Sequence, residues 1–301
     1  MKKFQLSLAN WCFRTKLSLR SLCFAAKKFG AYLDLVPYKD WDAVKKAGVK
    51  MSCVLPEMKI SKQTDDGLKD VDPFERSFNW FDCRAQVYEA LNEALDRAYA
   101  EGIKYVIVFT GMETAADRDD QFEQIVRGFT HNLFMANESL VKKAERLGIT
   151  FIIEMLNTKG DPACWQGHPR YLGHDTRELV EKVVKKIDSP SFRLAFDLYH
   201  CAMMGEDILA LIEDLHEFIA YVHIAGCMPA KDGGYLSTNR GEPTLNGQSI
   251  NFPAIGAALA KHLPDGTFVL AEWLLTKSDG ETIRDDIGRG FNHFISDIPM
   301  V

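Results

Sequence analysis

The stretch FRLAFD, Phe192–Asp197, is apolar but for Arg193, is rich in strand-favouring residues, and stops at a carboxylate. The same grammar recurs upstream in KYVIVF (Lys104–Phe109) and TFIIE (Thr150–Glu154), and downstream in AYVHIA (Ala220–Ala225) and TFVLAE (Thr267–Glu272). Weaker runs of this kind lie at Phe4–Ala9, Tyr32–Val36 and Met51–Leu55. Their apolar character is continuous rather than alternating, which suits strands of a parallel sheet covered on both faces.

Longer amphipathic stretches separate the runs. Phe81–Glu101 and Arg118–Leu147 each predict a long helix. Asp175–Ile187 opens on Asp-Thr and carries Leu179, Val183 and Val184 on one face; Ile208–Phe218, Pro253–Leu263 and Thr282–Phe294 follow. Pro253 suits a first turn, and Gly102 and Gly148 stand where helices should stop. Eight strand–helix units predict an α/β fold, a single (β/α)8 barrel, with residues 1–301 as one domain. An open doubly wound sheet is the rival. Its usual mark is a glycine-rich turn after the first strand, and here that turn reads Asn10-Trp11-Cys12-Phe13. Two connections are long, Pro56–Asn79 and Gly226–Gly247, and long barrel loops are where specificity tends to sit.

Hydrophobic residues at 47% and charged residues at 26% give ample core and exclude a disordered chain. A formal charge of −6 argues against a broad nucleic-acid surface. Seven cysteines, an odd number with no CxxC pair, read as reduced thiols of a cytoplasmic protein. Gln5, Ser7 and Asn10 interrupt any apolar leader, and no apolar run is long enough to span a membrane.

The chemistry lies in how the last four strands end. They finish at Glu154, Asp197, the His223 segment and Glu272, each run being apolar up to that point. Ionised carboxylates at the ends of buried strands are costly unless something positive neutralises them, and no lysine or arginine adjoins these in sequence. On a barrel the strand ends converge on one rim, so three carboxylates and an imidazole would face one another. A divalent cation is the simplest partner, and mostly oxygen ligands favour Mn²⁺, Mg²⁺ or Co²⁺ over a closed zinc site. Taken singly, each carboxylate could equally be a helix cap and the histidine a satisfied core group.

Glu154-Met155-Leu156-Asn157, Phe196-Asp197-Leu198-Tyr199-His200 and Val222-His223-Ile224-Ala225, with Arg240-Gly241-Glu242-Pro243, resemble the xylose isomerase-like barrels of the sugar isomerase/epimerase superfamily. Within it the chain looks most like hydroxypyruvate isomerase-like proteins. The resemblance implies that Glu154, Asp197, His223 and Glu272 are metal ligands, that Glu154 and Glu272 also move the proton, and that His200 and Arg240 hold substrate oxygens. It implies a small hydroxy-carbonyl compound or sugar as substrate, and it allows a homo-oligomer. Keto-sugar epimerases of the superfamily carry His where this chain has His223, whereas the isomerases commonly carry Gln. Residues Cys227–Thr238 look like an insertion before Arg240, which points to a substrate longer than three carbons.

Two rival functions stay open at this stage. One is an inosose dehydratase-like lyase on the same scaffold; the other is a sugar-binding protein without catalysis. The loop after Glu154 carries Trp165, His168 and His174, either as a cover over the site or as ordinary surface packing.

Overall fold

Eight strands run parallel to their neighbours: β1 (Phe4–Ala9), β2 (Tyr32–Asp34), β3 (Cys53–Val54), β4 (Tyr105–Val108), β5 (Thr150–Glu154), β6 (Phe192–Asp197), β7 (Ile219–Ile224) and β8 (Thr267–Ala271). In this computed structural model the described residues are 4–64, 67–134, 136–159, 167–226, 250–273 and 287–290. β1 pairs with both β2 and β8, and each remaining strand pairs with the next. A parallel bridge between Leu33 and Met51 joins β2 to the β3 edge. The Leu33 N–H donates to the Lys50 carbonyl at 2.9 Å, and the Ser52 N–H to the Leu33 carbonyl at 3.0 Å. The sheet thus closes on itself, which settles the choice between barrel and open sheet.

Helices cover the outside. Arg84–Glu101 follows β3, and its C-terminal Gly102 has φ 68°, the left-handed geometry that a side chain would disfavour. Asp175 caps the next predicted helix by accepting from the Glu178 N–H, although Val180–Val184 winds as a π-helix. The stretch Arg118–Leu147 is not one helix. It divides into Arg118–Thr130 and Leu140–Leu147, because His131 turns extended and the Ser139 side chain caps a new start by accepting from the Lys142 N–H. The Pro56–Asn79 connection contains an antiparallel hairpin, Ser61–Thr64 with Gly67–Asp70. Of the predicted helix Thr282–Phe294, residues 287–290 are described and are helical.

Two aromatic layers explain the continuous apolar runs. Outside the sheet, Phe129 packs on Phe78, Phe151 and Phe192 with centroids 5.3, 5.2 and 4.8 Å away. Gly128 is required there, since a Cβ would lie 2.1 Å from Phe78 Cγ. Inside, Tyr221 stacks on Phe268 at 5.4 Å and meets Tyr105 at 5.2 Å. Each such buried ring is worth roughly 1.5–3 kcal/mol. The inner layer forms the floor on which the polar strand ends stand. Among the described residues, no helix is long and apolar enough to cross a membrane.

Candidate metal centre

Glu154 and Asp197 are the last residues of β5 and β6, His223 the penultimate residue of β7, and Glu272 follows β8 directly. Register keeps them together: Asp197 pairs with His223, and Glu154 with Ala195. Ligand atoms from all four lie within 4.8 Å of one another, and all four residues are buried. His223 Nδ1 stands 2.9 Å from Glu154 Oε1, 3.0 Å from Glu272 Oε2 and 3.7 Å from Asp197 Oδ2.

Three buried carboxylates round one imidazole exceed what a single proton can neutralise. Burial, countered by His223 and reinforced by the charges of Glu272 and Asp197, pushes the Glu154 carboxyl up to about 7. Burial also opposes charge on His223, yet the Glu154 and Glu272 carboxylates carry its pKa well above the ordinary value. A dication would satisfy the same oxygens with two charges rather than one, so the donor set fits a hard or borderline divalent ion.

The surroundings fix each donor. The Asp197 side chain accepts from the His200 N–H at 3.0 Å through Oδ1, which leaves Oδ2 turned to the cluster. The Trp11 indole N–H donates to Glu272 Oε1 at 2.8 Å. The Tyr171 hydroxyl donates to the Glu154 carbonyl at 2.9 Å and accepts from the Thr110 N–H at 3.0 Å, so it pins the strand end rather than the carboxylate. His200 Nε2 lies 3.7 Å from Asp197 Oδ2 and 4.0 Å from Glu154 Oε1, while its Nδ1 meets the Asn157 side chain. Nε2 is the ring atom nearer the cluster.

Five of the six residues singled out from sequence are therefore brought together: Glu154, Asp197, His200, His223 and Glu272. Arg240 lies outside the described residues, as do Trp165 and the segment Cys227–Thr238. His168 packs against the His200 ring at 5.9 Å and belongs to the wall of the site. The Nδ1 of His174 is engaged with the Tyr171 carbonyl at 2.8 Å. Cys12, Cys23, Cys53, Cys83 and Cys201 are buried free thiols.

Sequence reasoning passed over Trp11, Asn157 and Asp34. The first two stand inside quoted motifs, so proximity in sequence was a usable signal. Asp34 stands as a polar residue within the run Tyr32–Val36, with no mark of its partner. It is the last residue of β2, 1% exposed, and the Tyr221 hydroxyl donates to its Oδ2. Burial pushes its carboxyl up to about 7.

Similarity to known proteins agrees with this geometry. No curated protein matches the chain. Among solved structures, D-psicose 3-epimerase with D-tagatose from Clostridium cellulolyticum H10 superposes with a TM-score of 0.68 at 15% identity, covering 99% of each chain. The IOLI protein with a bound zinc atom gives 0.67 at 14% identity over 100% of both chains. An AP endonuclease, family 2, from Brucella melitensis gives 0.67 at 20% identity, covering 93% of this chain and 96% of that one. These likenesses establish the barrel. The sequence model described as "Xylose isomerase-like TIM barrel" matches residues 43–290, and the chain therefore belongs to the xylose isomerase-like TIM barrel family.

Proposed function

We propose that the protein is a metal-dependent isomerase or epimerase of a small hydroxy-carbonyl compound or keto-sugar, hydroxypyruvate isomerase-like in chemistry. The observation that carries the reading is the convergence of Glu154, Asp197, His223 and Glu272 within 4.8 Å at four consecutive strand ends. These four residues would hold the divalent ion, Mn²⁺, Mg²⁺ or Co²⁺. Such an ion, when bound, would supply Lewis acidity that makes the carbon–hydrogen bond beside a substrate carbonyl more acidic.

The protein's own groups supply the rest. Glu154 and Glu272 reach the centre from β5 and β8, on opposite sides of β6 and β7. One carboxylate takes a proton from carbon on one face of the substrate, and the other returns a proton to carbon. The Trp11 indole fixes the Glu272 carboxylate for this task. His200, oriented by Asn157, offers Nε2 to a substrate oxygen. Arg240, on the strength of the motif that carries it, grips a second oxygen.

The test is a set of incubations in deuterated water, followed by proton NMR. Metal-stripped protein should be inert towards hydroxypyruvate, ketopentoses and ketohexoses, and Mn²⁺, Co²⁺ or Mg²⁺ should restore exchange of a carbon-bound proton without loss of water. Turnover by protein shown to be metal-free would falsify the reading. Loss of water would assign a dehydratase, and binding without exchange a sugar-binding protein.

A further inference from the structure

The half of the rim opposite the charged cluster contains one anomaly. β1, β3 and β4 end in Ala9, Val54 and Val108, but β2 ends in Asp34. Asp34 pairs with Ala9, and one residue earlier Leu8 pairs with Ala271, the neighbour of Glu272. Asp34 therefore stands in register with Glu272 and on the same, inner face of the sheet, two strands away. Only the Ala9 methyl lies between them on that wall. Strand spacing puts the two backbones roughly 10 Å apart.

The Tyr221 hydroxyl fixes one carboxyl oxygen of Asp34 from across the barrel, and Tyr221 lies two residues before His223 on the same face of β7, with ring centroids 5.7 Å apart. The carboxyl thus sits inside the barrel, beside the cluster. Its other oxygen, Oδ1, is buried without a hydrogen-bond partner, and so is Oδ1 of Asn10, the residue after Ala9. Orphaned buried acceptors are costly, and two of them at successive rim positions ask for a ligand that brings hydrogen-bonding hydrogens with it. A hydroxyl group suits a carboxyl in either protonation state, because it both donates and accepts.

We propose that Asp34, oriented by Tyr221, binds a hydroxyl at the far end of the substrate, and that the site is thereby built for a polyhydroxylated ketone of five or six carbons rather than a three-carbon compound. The inference rests on the reading of the centre as one for hydroxy-carbonyl substrates. A three-carbon compound held at the cluster leaves Asp34 unsatisfied, whereas two or three further carbons extend a hydroxyl towards it.

The experiment uses the full chain loaded with Mn²⁺ and three probes: dihydroxyacetone, a ketopentose and a ketohexose. Affinity is measured by calorimetry and turnover by proton exchange in deuterated water. In the wild type, the five- and six-carbon ketoses should bind and turn over better than dihydroxyacetone. Asp34→Ala should weaken the long ketoses about ten- to a hundred-fold, chiefly in KM, and reduce the long-over-short preference by at least tenfold. Asp34→Asn, which keeps an acceptor and nearly the same shape, should recover part of the loss. Tyr221→Phe, which releases the other carboxyl oxygen, should produce a smaller loss of the same selectivity. Equal effects on long and short ketoses in Asp34→Ala, with folding and metal stoichiometry retained, overturn the proposal and leave Asp34 a packing residue, as does a loss in Tyr221→Phe that falls equally on long and short ketoses. Wild-type binding of long ketoses without proton exchange overturns the isomerase reading alone, since selectivity of binding still tests Asp34. No binding of any ketose by the metal-loaded wild type overturns both.

Discussion

The two halves of the barrel rim are built from the same kind of strand and finish differently. β5–β8 deliver three carboxylates and an imidazole into one cluster, whereas β1–β4 finish in Ala9, Asp34, Val54 and Val108. The charged half is costly to fold without a cation, and its groups distort one another's protonation. The other half offers apolar wall and one carboxyl. On the proposals above, the contrast separates reactivity, gathered where four strand ends converge with His200 beside them, from recognition of the substrate's far end at Asp34 on the facing wall.

The sharpest way to break this division is Glu272→Gln, which keeps shape and an oxygen ligand but cannot take a proton. Proton exchange at saturating metal should fall by about 10²–10⁴, the usual contribution of a general acid–base group. Full recovery at high metal concentration would make Glu272 a ligand only, and would place the chemistry elsewhere.

A second measurement addresses charge within the cluster. In metal-free protein the proton on His223 stands among the oxygens that a cation would take. Its pKa is raised well above the ordinary value by the surrounding carboxylates, against the effect of burial. At neutral pH the binding of a divalent ion should therefore expel at least one proton, with a further fraction from the Glu154 carboxyl, and affinity should weaken by about tenfold or more per pH unit as pH falls. Calorimetry in buffers of different protonation enthalpy counts that proton; a count of zero would show that the metal does not compete at His223.

The smallest effect sharpens the description of the facing wall. Burial raises the Asp34 carboxyl from 3.8 to about 7 in the folded protein. The native state therefore holds this proton more tightly than the unfolded chain, so its ionisation costs nothing below about pH 4 and costs most above pH 7. Asp34→Asn should stabilise metal-free protein by roughly 1–3 kcal/mol above pH 7, and the gain should vanish towards pH 4. Thermal unfolding across that range checks it, and a gain that does not change with pH would mean Asp34 is already paired when folded.

The ends of β5–β8 were legible in sequence because three of the apolar runs stop at a carboxylate and the fourth carries a histidine near its end. Four such breaks on successive strands require a common point on a barrel. The strand bounds came within two residues or so for the same reason. Asp34 was legible as a polar residue within the run Tyr32–Val36, but its partner was not: Tyr221, nearly two hundred positions later, reaches it across the barrel. The division of Arg118–Leu147 was hidden because both halves share a helical period, and only Ser139 marks the restart. Trp11 reaches Glu272 because β1 and β8 are neighbours at the closing seam, a relation that periodicity does not encode.

Asp197 serves two structures with one side chain: Oδ1 starts the helix Leu198–Met204 by taking the His200 N–H, and Oδ2 faces the cluster. For a lineage of sequences this makes position 197 pleiotropic. A change there disturbs the reactive centre and the placement of His200 in a single step, so no intermediate sequence can trade one against the other. Position 34 is under no such double bond. Descendants of this barrel are therefore freer to vary at position 34 than at position 197, and divergence of specificity should run ahead of divergence of chemistry.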